Sequence, residues 1–275
     1  MLTLDLERLQ DYRARTFRLL PGLRINTPDQ AVEYVNQCGF IFFWPIKGVI
    51  FPSLWAAVAG DRPVPHEHDD PGHITWRWKD DLLGKRRWYY ARVLRRRNTI
   101  ISVETLPYFY ALSPNYGDPE NDYQEQYQQG LLTAEARAIY EALLNQGALD
   151  TLSLRRAANL WDAHNNSRFN RALDQLQIEF KVLPTGVSPA GAWRYAFIYD
   201  LTVRHYPELQ YQARLITEIQ AHRRLALDFF CSVGASPLNP MARLFGWRGV
   251  VWGRALDALS AVGAWMGDVK VRGWM

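Results

Sequence analysis

The sequence reads as a mainly helical α+β protein with short β-hairpins. Three observations point there. The hexamer RALDQL at 171–176 returns as RALDAL at 254–259, and both carry a helical apolar stripe. In the first copy that stripe is Phe169, Ala172, Leu173 and Leu176; in the second it is Trp252, Ala255, Leu256 and Leu259. Two helical segments precede each copy, and strand-like residues follow each copy.

The elements follow in order. At the N-terminus, LDLERLQDYRARTFRLL is helical and is stopped by Pro21-Gly22. Thr27 caps PDQAVEYVNQC, which puts Ala31, Tyr34, Val35 and Cys38 on one face. The apolar run FIFFWPI comes next, then a short helix in PSLWAAVAG. Residues 76–97 hold nine Lys or Arg against two Asp, interleaved with Trp76, Trp78, Trp88, Tyr89 and Tyr90. Residues 98–136 then hold six acidic residues and no basic one, and SPNYGDPENDYQEQYQQG within them reads as a solvated connector. Thr133 caps AEARAIYEALLNQ, Gly147 ends it, and Thr151 caps the short helix LSLRRAANLW before the first RALD helix. After that helix, KVLPTGVSPAGAWRYAFIYDL holds two strand-like runs about a Pro/Gly loop. The last part repeats the order. ARLITEIQAHRRLALDFFCSV is a helix stopped by Gly234, SPLNPMARLFG a short helix, and the second RALD helix ends at Gly263 before DVKVRGW.

Three helices followed by a β-hairpin is the order of a winged helix, whose third helix enters the major groove while the wing lies on the backbone. The expected organisation is a winged-helix-like module at 1–120 with the basic aromatic segment, a second winged helix at 131–206 and a third at 207–275.

Composition sets the partner class. The chain has 275 residues, 48% hydrophobic, with a formal charge of +4 and a pI of about 9.1. A mildly basic globular protein suits a polyanion. Cys38 and Cys231 stand far apart, so no disulfide framework or zinc set is expected and a reducing compartment fits. Asp5 and Glu7 occupy the place where a signal peptide would be basic and then apolar, and no apolar run reaches a membrane span. The expectation is a cytoplasmic protein, off the membrane, without metal or small-molecule cofactor.

Two segments point to double-stranded DNA. The outward face of the first RALD helix offers Asn165, Asn166, Ser167, Arg168, Asn170, Arg171 and Gln175. Arg reads guanine, Asn or Gln reads adenine, and all of them bond phosphate. An ordinary solvated helix face is the alternative. The second RALD helix offers only Arg248 and Arg254 and reads mainly as scaffold. In the basic stretch, Arg86, Arg87, Arg95, Arg96 and Arg97 are candidate phosphate ligands, with the aromatics available to stack on bases; core aromatics beneath a charged face are the alternative. The loop HEHDDPGH at 66–73 matches no trusted metal spacing, but Glu67, Asp69 and Asp70 are candidate general bases.

The chain resembles the AlkZ/YcaQ-type proteins, tandem winged-helix proteins of which several are DNA glycosylases. The resemblance covers nearly the whole chain. It lies in AVEYVNQCGFIFFWPI, in LLTAEARAIYEALLNQGALDTLSLRRAA, in ALDQLQIEFKVLP with WRYAFIYDL, and in GRALDALSAVG. It implies DNA as partner. It also aligns Gly39 with the family's glycine, so that Phe42 and Trp44 fall where the glycosylases carry a catalytic Gln-x-Gln or Gln-x-Asp. Neither aromatic side chain can orient a water or act as a general base. The reading is therefore a DNA-binding AlkZ-related protein for recognition or repair of damaged DNA, with Phe42 and Trp44 as an aromatic wedge or as core. An active glycosylase using Glu67, Asp69 or Asp70 is one alternative. A winged-helix transcription-control or interaction protein is the other.

Overall fold

A computed structural model describes residues 3–67, 69–191, 194–247, 249–261, 267 and 270–272. Helices dominate, with two three-stranded antiparallel sheets and one parallel strand pair. The chain starts as β1 (Thr3–Asp5), α1 (Leu6–Thr16), α2 (Pro28–Cys38), β2 (Phe40–Phe42), α3 (Leu54–Ala59) and α4 (Ile74–Leu82). It continues with β3 (Tyr89–Arg92), β4 (Asn98–Ile101), α5 (Leu106–Ala111), α6 (Asp122–Gln128), α7 (Ala134–Gln146), β5 (Leu149–Asp150) and α8 (Thr151–Ala157). Then come α9 (Asn166–Ile178), β6 (Val182–Ser188), β7 (Ala196–Leu201), α10 (Thr202–His205), α11 (Leu209–Arg214), α12 (Glu218–Val233), α13 (Leu238–Phe245), α14 (Gly249–Ser260) and β8 (Lys270–Arg272).

The first sheet, in the order β2-β4-β3, is covered on both faces. Phe40, Phe42, Tyr89, Ala91 and Ile101 point into a core shared with α5, α12, α13 and α14. Ile41, Phe43, Tyr90 and Ile100 point into a second core with α2, α3 and α4. A strand covered on both sides needs apolar residues at every position, which is why the run FIFF shows no alternation. The other sheet, β5-β7-β6, packs against α7, α8 and α9 around a third core. There Phe169, Ala172, Leu173 and Leu176 are buried as the helical spacing requires, and on α14 Ala255, Leu256 and Leu259 are buried likewise.

Several expectations are corrected. The first helix begins only after a strand, is capped by Asp5 and ends at Thr16, because Arg18 takes a positive φ of 59°. The connector carries α6, whose Asp122, Tyr123 and Gln126 are buried. Asp150, not Thr151, caps α8: its Oδ1 accepts from the backbone of Leu152 and Ser153, while Thr151 Oγ1 donates to the Phe197 carbonyl. The long helix before Gly234 is two helices, because Thr217 and Gln220 form a capping box that restarts it at α12. The last strand joins no hairpin among the described residues; β8 pairs in parallel with β1. The helix α14 ends at Ser260, while Gly263, Arg248, the side chain of Trp252, and the stretch 192–193 in the Pro/Gly loop lie outside the described residues. No helix among the described residues is long and apolar enough to cross a membrane.

Candidate nucleic-acid interface

The basic stretch folds as a helix, a turn and a hairpin. Trp78, Trp88, Tyr89 and Tyr90 are buried in it; Trp76 alone of its five aromatics is exposed. The stacking surface expected from these aromatics is therefore core, because the hairpin is covered on both faces. What remains outside is the charge of the other eight cations, Lys79 being buried. Arg95, Arg96 and Arg97 form the tip between β3 and β4, and all three are exposed.

The tip is a built feature. Thr99 is fully buried beneath it; its Oγ1 accepts from the Leu94 N–H at 3.1 Å and donates to the Arg97 carbonyl at 2.8 Å. Leu94 is buried and anchors the turn. Arg95 and Arg96 follow with φ of 53° and 56°. That region costs a residue with a Cβ on the order of 1–2 kcal/mol, and glycine occupies it freely. Two consecutive arginines there hold charge at a place where the backbone alone favours glycine.

The hairpin docks on α9. The Arg92 N–H donates to Gln177 Oε1 at 3.1 Å, and the Arg92 guanidinium pairs with Asp174 at 2.9 Å. Arg96 thereby faces Arg168, Arg171 and Gln175 across a cleft of about 520 Å³. Asn170 and Arg171 are exposed on the same helix, and Trp161, 70% exposed, stands at the turn before it.

Ion pairs sort the arginines. Arg87 pairs with Asp29 at 3.1 Å, Arg92 with Asp174, and Arg168 with Glu135 at 2.7 Å. Arg86, Arg95, Arg96, Arg97 and Arg171 have no ion pair among the described residues and are exposed. Sequence reasoning missed two groups beside this face. Arg243 on α13 reaches the far side of the tip, and Glu179 ends α9 at the seam between two clefts. Only the tertiary fold brings either one there.

The other candidates lie apart from these arginines. Asp70 accepts from the Gly72 N–H and from the Arg62 guanidinium, both at 2.7 Å; Arg62 holds its carboxyl below the usual range. It caps a turn and is engaged as a structural acceptor. Glu67 and Asp69 are exposed, His68 lies outside the described residues, and none of the three acids lines either cleft. Among the described residues no three His, Cys, Asp or Glu side chains gather as a metal set.

Gly39 ends α2 with φ of 77°, and a Cβ there would stand 2.5 Å from Asp228 Oδ2. Phe42, three residues on, is 1% exposed and lies edge-on to Phe51. Its ring belongs to the core, so it is not a wedge for DNA. Trp44 is half-buried against Phe43, Trp55, His73 and Trp76.

A family model described as AlkZ related matches residues 25–226. The chain belongs to the AlkZ-related family. No curated protein and no solved structure matches it. The AlkZ-related match takes in the arginine tip, α9 and the Gly39 turn, while α13 and α14 lie beyond it.

Proposed function

We propose that this AlkZ-related chain binds double-stranded DNA, chiefly by its phosphates, and serves in the recognition or repair of damaged DNA in the cytoplasm. The observation behind it is one arrangement: Arg96, on a strained tip and without an ion pair among the described residues, faces Arg171 across a cleft where Arg168 is held by Glu135, with Arg95, Arg97 and Asn170 exposed beside it. We read 131–206 as a winged helix, since α7, β5, α8, α9, β6 and β7 occur in that fold's order and the middle strand of the sheet is β7. The segments 1–120 and 207–275 are the units on either side. In this reading α9 is the helix that meets the groove. Arg86 extends the phosphate contacts along the turn before β3, with Arg87, held by Asp29, beside it.

Base release through positions 42 and 44 is not expected. Hydrolysis of an N-glycosidic bond needs a held water and stabilisation of a cationic sugar. Phe42 has no acceptor, and the Trp44 indole only donates. The test is a panel of intact, alkylated and crosslinked duplexes, scored for both binding and base release. Binding at low salt without release is the expected result. No affinity for any duplex at low salt overturns the proposal. Multiple-turnover release that is lost in Asp69→Asn or Asp70→Asn makes the loop acids catalysts instead.

A further inference from the structure

The turn between α8 and α9 carries Trp161, at 70% the most exposed large apolar side chain among the described residues. A lone surface aromatic is ordinary; what distinguishes Trp161 is the backbone beneath it. Asn159 takes a φ of 55°, a region that Asn tolerates, and turns the chain out of α8. Leu160 is buried and anchors the next position. The Arg155 guanidinium then ties both neighbours of Trp161. Its Nε donates to the Leu160 carbonyl at 3.3 Å, and its Nη2 donates to the Asp162 carbonyl at 3.5 Å. The same guanidinium donates to Asn166 Oδ1 and lies 5.2 Å from the ring centroid of the buried Phe169. Asp162 Oδ1 accepts the His164 N–H at 2.8 Å and caps the short turn that runs into α9.

One arginine therefore clamps the backbone on each side of Trp161 and fixes it against the first turn of α9. The indole itself has no ring or cation partner among the described residues. Past it the exposed face continues through His164, Asn166, Ser167, Asn170 and Arg171. Leaving an indole in water forgoes the burial that large aromatics usually gain. A backbone already held in place lowers the entropy that a contact there would lose.

We propose that Trp161 is a stacking wedge that enters a gap in the base stack of bound DNA. This role rests on the DNA-binding reading, in which α9 meets the groove, and it supplies the means of telling a damaged step from an intact one. The first turn of a groove helix lies nearest the base edges, and Trp161 stands one short turn ahead of Asn166, where α9 begins. An indole offers two flat faces and a single N–H donor, with no charge to pair a phosphate. Its affinity for nucleic acid lies in stacking on a base, and apolar side chains inserted at a base step are a recurrent way to hold kinked DNA. An intact stack closes against such a ring. A missing base leaves the space open, so the ring enters without the cost of unstacking. Arg96 and Arg171 meet the phosphates of either duplex alike, so the discrimination falls to Trp161.

The test uses the full chain and two duplexes, one fully paired and one with a single abasic site beside a 2-aminopurine. Binding is read by anisotropy, and stacking by quenching of the 2-aminopurine fluorescence. The parent should bind the abasic duplex about tenfold more tightly than the paired one, as one base stacked on an aromatic ring implies, and should quench the probe. Trp161→Ala should erase both the preference and the quenching, with thermal melting unchanged because the side chain is exposed. Trp161→Phe keeps a flat ring and should retain most of the preference. A parent that binds both duplexes equally, or a preference that survives Trp161→Ala, overturns the assignment and leaves the DNA reading standing. Binding of neither duplex at low salt overturns both. If Trp161→Ala dissociates an oligomer in sedimentation while the abasic preference stays intact, the indole is a protein contact and the wedge is refuted.

Discussion

The sorting of arginines by ion pairs makes a quantitative prediction. The triple variant Arg95→Gln, Arg96→Gln, Arg171→Gln removes three exposed guanidiniums that have no carboxylate partner among the described residues. Removing one phosphate ligand should lower the slope of log K against log salt by about 0.9, so the triple should lower it by about 2.7. At 0.1 M salt that is about eightfold for each guanidinium and on the order of 500-fold together. Glutamine at 95 and 96 carries the same left-handed backbone cost as arginine, so thermal stability should not move. The control is charge-neutral. Arg168→Gln with Glu135→Gln deletes an ion pair seen at 2.7 Å and leaves local charge unchanged, so its slope should stay near the parent's. The assay is anisotropy on one duplex at five salt concentrations. A triple variant with the parent's slope, or a paired deletion that lowers it equally, refutes the sorting.

Three other outcomes are expected. Phe42→Ala should cost roughly 3–5 kcal/mol in urea unfolding, as for a large buried aromatic, and leave DNA binding by the folded protein intact. Burial raises the Asp228 carboxyl to about 6, so the folded state holds the extra proton between pH about 4 and 6. Stability then falls as pH rises through that window; Asp228→Asn should unfold at higher urea than the parent at pH 7.5 and close to it at pH 4. Lys181 is 4% exposed and burial lowers its amine to about 8, so stability should rise with pH from about 8 to 10.5. Lys181→Met should be more stable than the parent at pH 7, by on the order of 2 kcal/mol once the missing hydrogen bond to Asn115 is set against the relief, with no gain above pH 10.5.

What could be read from the sequence was local chemistry. Thr133 and Gly147 bound α7 because a hydroxyl cap and a positive-φ glycine act within one turn. The stripe of α9 follows from helical spacing, which tertiary packing only confirms. The capping box at Thr217 and Gln220 was also in the sequence, as Thr-x-x-Gln, and would have split the long helix correctly. Other features had no local signal. Phe42 reads the same whether it faces solvent or core, because a run of consecutive aromatics carries no period. Trp78 and Trp88 alternate with cations along the chain, yet both are buried, and of the neighbouring cations Lys79 is buried with them while Arg77 and Arg87 lie outside. The pairing of Thr3 with Lys270 joins the two ends of the described chain, beyond the reach of any pattern of neighbours. Arg243 and Glu179 belong to the site only because α13 and α9 both pack beside the hairpin tip.

An arginine surface spread over distant segments recognises a rigid duplex only if its parts keep their spacing. Besides the Arg92–Asp174 ion pair, polar interactions of buried groups hold α4 and the β3–β4 hairpin to the middle unit. Gln177, 3% exposed, accepts the Arg92 backbone N–H. The Tyr206 hydroxyl donates to the Trp88 carbonyl at 2.7 Å in a buried position. Lys79 on α4, 3% exposed, donates to the Tyr195 hydroxyl at 2.7 Å beside Asp80, which accepts from that hydroxyl at 2.8 Å. The ammonium also lies 4.6 Å from the Phe197 ring centroid and 5.6 Å from that of Tyr90. A buried charge supported by an ion pair and aromatic faces is expensive to separate, since opening the interface strands it. The first and last of these interactions reach α9 and β7 from opposite ends of the hairpin region. Arg96 and Arg171 are thus held in register by buried polar groups, while their own side chains have no ion pair among the described residues, as the proposed phosphate contacts require.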